Sequence, residues 1–208
     1  MSRSKSSKRW LKEHLNDEYV KLSQEKGYRS RASYKLLELQ DKDKFIKPGM
    51  IAVDLGAAPG GWSQVVAAIV GAKGRVLSTD ILPMDNIAGV EFVQGDFTKE
   101  DVFNLLLTKL KIDRADLLVS DMAPNMSGIK AIDQPRAMLL SELALELARS
   151  VLKKEANILV KVFQGEGSED FYREMKQTFK VVKTRKPRSS RANSREIYLL
   201  GLGYLSGF

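Results

Sequence analysis

Short apolar runs and apolar residues at helical spacing alternate along most of this chain. Runs rich in Val, Ile, Leu and Ala predict strands at residues 51–55, 75–79, 90–93, 115–120 and 156–162. Helical spacing between these runs predicts helices at residues 62–70, about 99–110, 134–152 and 168–178. Because strands and helices alternate regularly, the pattern predicts a mostly parallel sheet with helices on both faces.

The two ends of the pattern differ from its middle. Runs at 180–186 and 196–202 follow one another without a helix, which predicts an antiparallel pair at the sheet edge and seven strands in all. Ahead of the first strand, helical spacing predicts two short helices, from Trp10 to about Val20 and from Ser30 to Leu39. A chain of 208 residues suits one domain. We place that domain at residues 30–208, after a basic and partly disordered extension at residues 1–29.

The predicted helix at 134–152 has the clearest start signal. Asp133 can cap it, and Pro135 is tolerated in the first turn because the first N–H groups of a helix have no partner within it. Its predicted buried face consists of apolar residues four positions apart, Leu139, Leu143, Leu147 and Val151.

Positive charge is concentrated in two segments. The formal net charge is +8, yet residues 1–35 alone contribute +6 and residues 183–195, which contain no acid, contribute another +6. The rest of the chain is therefore net acidic. Segregated charge of this kind favours a polyanionic partner, whereas solvated ends without a partner are the alternative.

The composition excludes several kinds of site. The absence of cysteine excludes disulfides, thiolate metal sites and a cysteine nucleophile. The single histidine, His14, lies in a polar N-terminal segment, so we expect no zinc site and no histidine-based triad. We find no apolar run of membrane-spanning length and no hydrophobic segment after the basic N-terminus that would indicate a signal peptide. We therefore expect a cytoplasmic protein with no membrane partner.

The stretch from Ile51 to Gln64 predicts a strand, a glycine turn and a helix. Its glycines allow a ligand to lie against the main chain, and the following helix offers free N–H groups. The P-loop pattern is absent because Trp62 follows Gly61, and the dinucleotide pattern is absent because position 58 is Ala. A purely structural turn is the alternative.

Carboxylates end three of the predicted parallel strands. Asp80 follows the second strand, Asp96 the third and Asp121 the fourth. Ligands of such sheets bind beyond the carboxyl ends of the strands, where Asp80 could accept the hydroxyls of a ribose. Each aspartate alone could be a turn or cap residue. A carboxylate-rich pocket without Lys or Arg favours a cofactor with ribose and positive charge but no phosphate, which describes S-adenosyl-L-methionine.

Four motifs resemble those of the FtsJ/RrmJ ribose 2′-O-methyltransferases. They are Asp54-Leu-Gly-Ala-Ala-Pro-Gly-Gly-Trp-Ser-Gln64, Ser120-Asp-Met-Ala-Pro-Asn-Met-Ser-Gly128, Val160-Lys-Val-Phe-Gln-Gly165 and Ser190-Arg-Ala-Asn-Ser-Arg-Glu196. The resemblance implies a Rossmann-like class I methyltransferase that uses S-adenosyl-L-methionine, with cofactor contacts at Gly60, Trp62, Asp80, Asp96 and Asp121. It is strongest to bacterial members that methylate a uridine ribose in the A-loop of large-subunit (23S) ribosomal RNA. As partner it implies ribosomal RNA in the assembled large subunit, and we expect a monomer.

The resemblance also implies a catalytic tetrad of Lys35, Asp121, Lys161 and Glu196. Lys161 stands out independently as a lone charge in an apolar strand, although a strand lysine can also extend to an edge. Lys35 by itself resembles any surface lysine of a helix. Lys161 could act as the base or as a cation that orients the ribose oxygen, and we favour the base. Phosphates bound by residues 183–195 would bring a ribose near Glu196.

Three other functions compete with this interpretation. Within the same chemistry, the substrate could be transfer RNA or an mRNA cap. A non-catalytic RNA-binding assembly factor could keep the fold, but the presence of Lys161 and Asp121 argues against that. A nicotinamide-dependent oxidoreductase is disfavoured because the dinucleotide pattern is missing.

Overall fold

The computed structural model describes residues 17–110, 114–191 and 193–206. The helices are α1 (Glu18–Glu25), α2 (Ala32–Asp43), α3 (Gly61–Val70), α4 (Glu100–Leu110), α5 (Lys130–Val151) and α6 (Ser168–Thr178). The strands are β1 (Ile51–Leu55), β2 (Arg75–Asp80), β3 (Val90–Gln94), β4 (Ala115–Ser120), β5 (Leu152–Phe163), β6 (Phe179–Arg185) and β7 (Glu196–Tyr204). The predicted basic tail at 1–9, the start of the helix predicted from Trp10, and His14 lie outside the described residues.

The seven strands form one sheet in the order β3-β2-β1-β4-β5-β7-β6. Strands β1 to β5 pair in parallel, and β7 pairs antiparallel with both β5 and β6. The predicted α/β fold, with a mostly parallel seven-stranded sheet, is therefore confirmed. The strand order reverses at the boundary between β1 and β4, because the chain runs outward from β1 to β3 and then returns to place β4 beside β1. The crevice at the carboxyl ends of β1 and β4 is therefore the expected ligand site of such a sheet.

Helices cover both faces of the sheet and create two apolar cores. On one face, α2 and α3 pack on the sheet through residues such as Leu36, Val65 and Val66. On the other face, α4, α5 and α6 pack on it through residues such as Leu145 and Phe171. The central strands are buried on both faces, which explains why they appear in the sequence as nearly continuous apolar runs.

Both N-terminal helices extend beyond their predicted ends. Helix α1 occupies Glu18–Glu25, and the predicted second helix extends four residues beyond Leu39, to Asp43. The Asp17 side chain caps α1 by accepting a hydrogen bond from the N–H of Tyr19 at 3.0 Å. The Tyr19 and Tyr34 rings, 5.5 Å apart, join α1 to α2. Part of the predicted extension at 1–29 is thus helical and packed against the domain.

Helix α5 differs most from its prediction. It begins at Lys130, so Asp133 lies within its first turn and does not cap it from outside. The Asp133 carboxylate instead accepts hydrogen bonds from the N–H groups of Ser127 and Gly128 and ties down the preceding loop. The predicted buried face is also partly wrong, because Leu139 is 53% exposed. The buried face follows Met138, Ser141, Ala144, Leu145 and Ala148.

No helix in the described part of the chain is both long enough and apolar enough to cross a membrane.

Candidate active site

The glycine turn joins β1 to α3 at the carboxyl edge of the sheet. Gly56 and Gly60 have φ angles of 70° and 105°, which residues with a Cβ adopt only at a cost. A Cβ at Gly56 would lie 2.3 Å from Cγ of Met122, and one at Gly60 would lie 2.5 Å from Cδ1 of Ile87. Backbone conformation and packing therefore require these glycines, so ligand approach is not the only reason for them.

Asp80 supports this turn from the end of β2. Its Oδ2 accepts a hydrogen bond from the N–H of Ala58 at 2.9 Å, and its Oδ1 accepts one from the N–H of Leu82 at 2.8 Å. A carboxylate offers about four acceptor positions. Two positions on Asp80 therefore remain for the hydroxyls of a ligand lying beside the glycine turn.

Asp96 follows β3, the neighbour of β2 at the sheet edge. Its Oδ1 accepts hydrogen bonds from the N–H of Thr98 at 3.0 Å and from the Thr98 hydroxyl at 2.7 Å. The hydrogen bonds from Thr98 lower the pKa of the Asp96 carboxyl. Its observed contacts are those of a turn residue, and its cofactor role stays a prediction.

Asp54 is a buried carboxyl group at this edge to which the sequence interpretation gave no role. The Ser63 hydroxyl donates to its Oδ2 at 2.6 Å and lies 2.9 Å from the Ser78 hydroxyl. Burial raises the pKa of Asp54 to about 7, with the Ser63 hydrogen bond opposing the rise and the negative charges of Asp121 and Asp80 adding to it. The potential here is therefore negative and favours a positively charged ligand.

Strand register brings the predicted tetrad together. In the β5–β7 ladder, Lys161 lies opposite Tyr198 and Phe163 lies opposite Glu196, so Lys161 and Glu196 point to the same face of the sheet. Asp121 directly follows β4, the other neighbour of β5. Helix α2 covers this face and supplies Lys35. Four residues spread over 162 positions of sequence thus meet in one place.

The tetrad side chains are in direct contact. Nζ of Lys161 lies 3.0 Å from Oδ1 of Asp121 and 2.5 Å from the Asp121 main-chain oxygen. Nζ of Lys35 lies 2.7 Å from Oε1 of Glu196 and 4.0 Å from Oδ1 of Asp121. Lys35, Lys161 and Glu196 are each no more than 8% exposed. Lys35 is therefore not the ordinary surface lysine that its local sequence suggests.

The cations keep both tetrad acids ionised. Burial alone would raise the pKa of the Asp121 carboxyl, but the charges of Lys161 and Lys35 and the hydrogen bond from Tyr198 lower it below its usual value. Burial likewise opposes ionisation of Glu196, and Lys35 lowers the pKa of this carboxyl in the same way. The site is a buried, alternating arrangement of two cations and two anions.

Nζ of Lys161 is held in a fixed orientation. Its two acceptors both belong to Asp121, one on the side chain and one on the main chain. A neutral amine has two N–H donors and one lone pair, so these acceptors leave the lone pair for a third partner. An ammonium in the same place would present its third N–H to that partner. The geometry therefore suits a group that exchanges a proton with a substrate atom.

Tyr198 is a member of the site that the sequence interpretation missed. It is fully buried, and its hydroxyl donates to Oδ1 of Asp121 at 2.6 Å. Burial and the charges of Asp121 and Glu196 raise the pKa of Tyr198 well above its usual value, so it remains a donor. Its position two residues after Glu196 in a strand is the signal that would have revealed it, because such residues share a face.

Trp62 supports the site from the core. Its indole N–H donates to the main-chain oxygen of Ala32 at 2.8 Å, and its ring lies 5.7 Å from that of Tyr198. The side chain is only 3% exposed. Any contact of Trp62 with a cofactor would therefore come from its main chain.

Arg29 is a third residue whose role the sequence does not predict. The acidic pocket was predicted to lack Lys and Arg, yet this guanidinium lies beside the glycine turn. It donates to the main-chain oxygens of Pro59, Asp85 and Asn86 at 3.2, 2.6 and 2.7 Å. Arg29 thus ties the loop after β2 to the glycine turn.

The basic run at 183–195 divides into two groups. Lys183 and Arg185, on β6, both bind the buried carboxylate of Asp43. Nζ of Lys183 lies 3.1 Å from this carboxylate, and Nε and Nη2 of Arg185 lie 2.7 and 2.8 Å from it. Beyond β6, the cations are exposed, namely Lys186, Arg188, Arg191 and Arg195. The second group is the part of this run that can meet phosphates. Of the other predicted patch, residues 1–16 lie outside the described residues.

Within the described residues, no group of three or more Asp, Glu or His side chains is arranged to hold a metal ion.

The sequence of this chain is similar to those of known methyltransferases. The chain matches the family model described as FtsJ-like methyltransferase over residues 28–204. It is 59% identical over 205 residues to a protein of Cellvibrio japonicus named ribosomal RNA large subunit methyltransferase E, covering 99% of this chain and 97% of that one.

Solved structures show the same architecture. A Plasmodium falciparum structure described as a ribosomal RNA methyltransferase superposes with a TM-score of 0.77 at 31% identity, covering 86% of this chain and all of that one. A Clostridium thermocellum structure described as an rRNA methylase has a TM-score of 0.52 at 18% identity, covering 82% of this chain and 95% of that one, and supports the fold alone.

Proposed function

The chain belongs to the FtsJ-like methyltransferase family, and from that premise we propose that it transfers a methyl group from S-adenosyl-L-methionine to a ribose 2′-hydroxyl of ribosomal RNA. The observation that carries the proposal is the buried contact of Lys161 with Asp121, with Lys35 and Glu196 beside it. An RNA substrate is supported by the exposed cations that precede Glu196 in the chain.

We further propose that the target is a uridine in the A-loop of 23S ribosomal RNA, within the assembled large subunit. The identity of 59% over nearly the full length of a protein named for large-subunit ribosomal RNA supports that class of RNA over transfer RNA or an mRNA cap. The buried and mutually paired tetrad also argues against a non-catalytic assembly factor, since such a factor would not need two lysines in a buried site.

The residues at the glycine turn fit the proposed cofactor. S-adenosyl-L-methionine carries a sulfonium and an ammonium group and no phosphate. The negative charges of Asp121 and Asp80, which add to the effect of burial on the pKa of Asp54, favour such a ligand. Asp80 would accept the ribose hydroxyls, and Asp96 would lie toward the adenine. Gly60 and Trp62 would contribute main-chain groups at the start of α3, and Asp121 would border the reactive end.

We assign the transferred proton to Nζ of Lys161. The cofactor supplies an activated methyl group when bound, and the ribose oxygen must lose its proton as the new bond forms. Lys161 acts in this step after its ammonium has released one proton: the resulting amine donates both N–H groups to Asp121 and offers its lone pair to the ribose proton. Asp121 then stabilises the resulting ammonium. The positive charge of Lys35 stabilises the developing negative charge on the oxygen.

The exposed cations before Glu196 would position the RNA. Contacts to phosphates fix the register of a nucleic acid but select little sequence. Selection of one uridine would therefore depend on the folded shape of the ribosomal RNA and on an accessible base.

The proposal is tested by mapping ribose methylation in ribosomal RNA by mass spectrometry. Cells that lack this protein should lose one 2′-O-methyl group in the 23S A-loop, and the wild-type gene should restore it while the Lys161→Ala gene should not. Purified protein should methylate isolated large subunits in preference to transfer RNA or capped mRNA. An unchanged A-loop in the deletion strain, or preferential methylation of transfer RNA, would refute the proposed target.

The cofactor is tested separately by calorimetry. We expect binding of S-adenosyl-L-methionine and no binding of NAD, and the reverse result would assign the chain to a different reaction.

A further inference from the structure

Helix α2 contacts both the tetrad and the basic segment that connects β6 to β7. Lys35 pairs with Glu196, and one turn later Glu38 faces residues 188 and 189. At the start of the helix, the Arg31 guanidinium donates to the main-chain oxygen of Ser189. At its end, Asp43 binds the two cations of β6. A single helix therefore aligns the β6–β7 connection along its length.

Glu38 makes the central contact in this series. Its Oε2 accepts a hydrogen bond from the N–H of Arg188 at 2.7 Å, and its Oε1 accepts one from the N–H of Ser189 at 3.0 Å. One carboxylate thus binds two consecutive main-chain groups of the segment that carries the exposed arginines. Hydrogen bonds of this type, with an ionised acceptor, are among the stronger ones in proteins.

We propose that Glu38 is a positioning residue for RNA, because it fixes the 186–191 segment to the helix that carries Lys35. Through Glu38, the phosphate-binding arginines and the tetrad keep a fixed separation, so an RNA bound to the former presents its ribose to the latter. The inference rests on the proposed function, since it requires that the exposed cations bind RNA.

A positioning role and a purely electrostatic role of Glu38 predict opposite changes in RNA affinity when its charge is removed. A carboxylate next to a phosphate-binding surface repels RNA, so removing its charge should strengthen RNA binding if Glu38 were only a surface anion. If Glu38 holds the segment in place, removing it should weaken RNA binding even though the protein becomes more positive. The sign of the change therefore distinguishes the two roles.

The test compares Glu38→Gln with Asp41→Asn, which removes the same charge from the same helix. Asp41 is a suitable control because its side chain is 86% exposed and pairs with Lys44, outside the β6–β7 contacts. For Glu38→Gln we expect KM for large ribosomal subunits to rise about tenfold, as expected when a hydrogen bond to a charged group is weakened, with kcat reduced much less. Asp41→Asn should leave both constants at wild-type values.

Hydrogen exchange provides a second readout that does not depend on activity. In Glu38→Gln, the amides of Arg188 and Ser189 should exchange faster, while the amides of β1 and β4 keep wild-type protection and show that the fold is intact. Unchanged or lower KM in Glu38→Gln, or unchanged exchange at these two amides, would overturn the role of Glu38. Neither result affects the proposed reaction, which fails only if the wild-type protein does not methylate the subunits.

Discussion

Replacing Lys161 by Ala should slow the chemical step strongly while leaving the fold and cofactor binding nearly intact. Loss of a general base typically lowers a rate by about 10²–10⁴-fold, which corresponds to roughly 2.7–5.4 kcal/mol of activation free energy. Because Nζ of Lys161 contacts only Asp121 among the acidic side chains described, the change leaves the contacts of Asp80, the proposed ribose acceptor, in place. We therefore expect S-adenosyl-L-methionine affinity to change by no more than a few-fold.

The structure also sets the stability cost of this change. Asp121 would lose Lys161 but keep the Tyr198 hydroxyl at 2.6 Å and Lys35 at 4.0 Å. A fully unpaired buried charge costs roughly 3–5 kcal/mol, so with two partners left we expect about 1–3 kcal/mol. In a chain of this size that lowers Tm by about 2–12 °C. Assays at 25 °C would then still use folded protein.

The assay is single-turnover methyl transfer to large ribosomal subunits, with calorimetry for cofactor binding and for Tm. Lys153→Ala is a matched control, because Lys153 lies on the same strand but is 51% exposed and pairs with Asp116 at the far end. Lys161→Arg separates the two roles, because arginine keeps the charge but cannot release its proton near neutral pH. An inactive Arg variant supports the base, and substantial activity supports an orienting cation. A wild-type rate in Lys161→Ala would refute the tetrad assignment.

Three further predictions concern the cofactor, the RNA surface and pH. Asp80→Ala should weaken S-adenosyl-L-methionine binding by about 1.5–3 kcal/mol, since two ribose hydroxyls lose a charged acceptor; equal affinity in calorimetry would remove Asp80 from the site. Alanine at the three exposed arginines of the β6–β7 connection should flatten the salt dependence of RNA affinity by about 0.7–0.9 in log–log slope per lost phosphate contact. These arginines are Arg188, Arg191 and Arg195. Alanine at Lys183 and Arg185, which bind Asp43, should lower Tm and leave the slope unchanged. A slope that changes on replacing Lys183 and Arg185, and not on replacing the three arginines, would show that the assignment of RNA contacts is wrong. The pKa of Asp54 is about 7 in the folded protein and 3.8 for an ordinary aspartate, so the native state keeps a proton that the unfolded chain releases. The contribution of Asp54 to wild-type stability should therefore fall as pH rises from about 4 to about 7. Relative to Asp54→Asn the loss should approach about 4 kcal/mol at most, and parallel stability curves for the two proteins would contradict the buried, protonated state.

Local patterns in the sequence determined the architecture. Strands and helices that pack on a common core must repeat apolar residues with their own periods, so β1 to β7 and α3 to α6 could be predicted to within a few residues. The glycine turn and the aspartates at the strand ends were visible for a similar reason, because a parallel sheet places its ligands at one edge. The tetrad was predicted from the resemblance to a family, because the positions of its four residues along the chain do not by themselves indicate that they meet.

The tertiary structure decided what no local pattern contains. Lys35 looks like a surface residue in its own helix, and only the packing of α2 on the sheet buries it against Glu196. Tyr198 joins the site because β7 pairs with β5 in one particular register. Lys183 and Arg185 look like part of a continuous basic patch, yet Asp43, about 140 residues earlier, binds both of them. Burial and ion pairing of these side chains depend on contacts between distant segments, and such contacts exist only once the chain has folded.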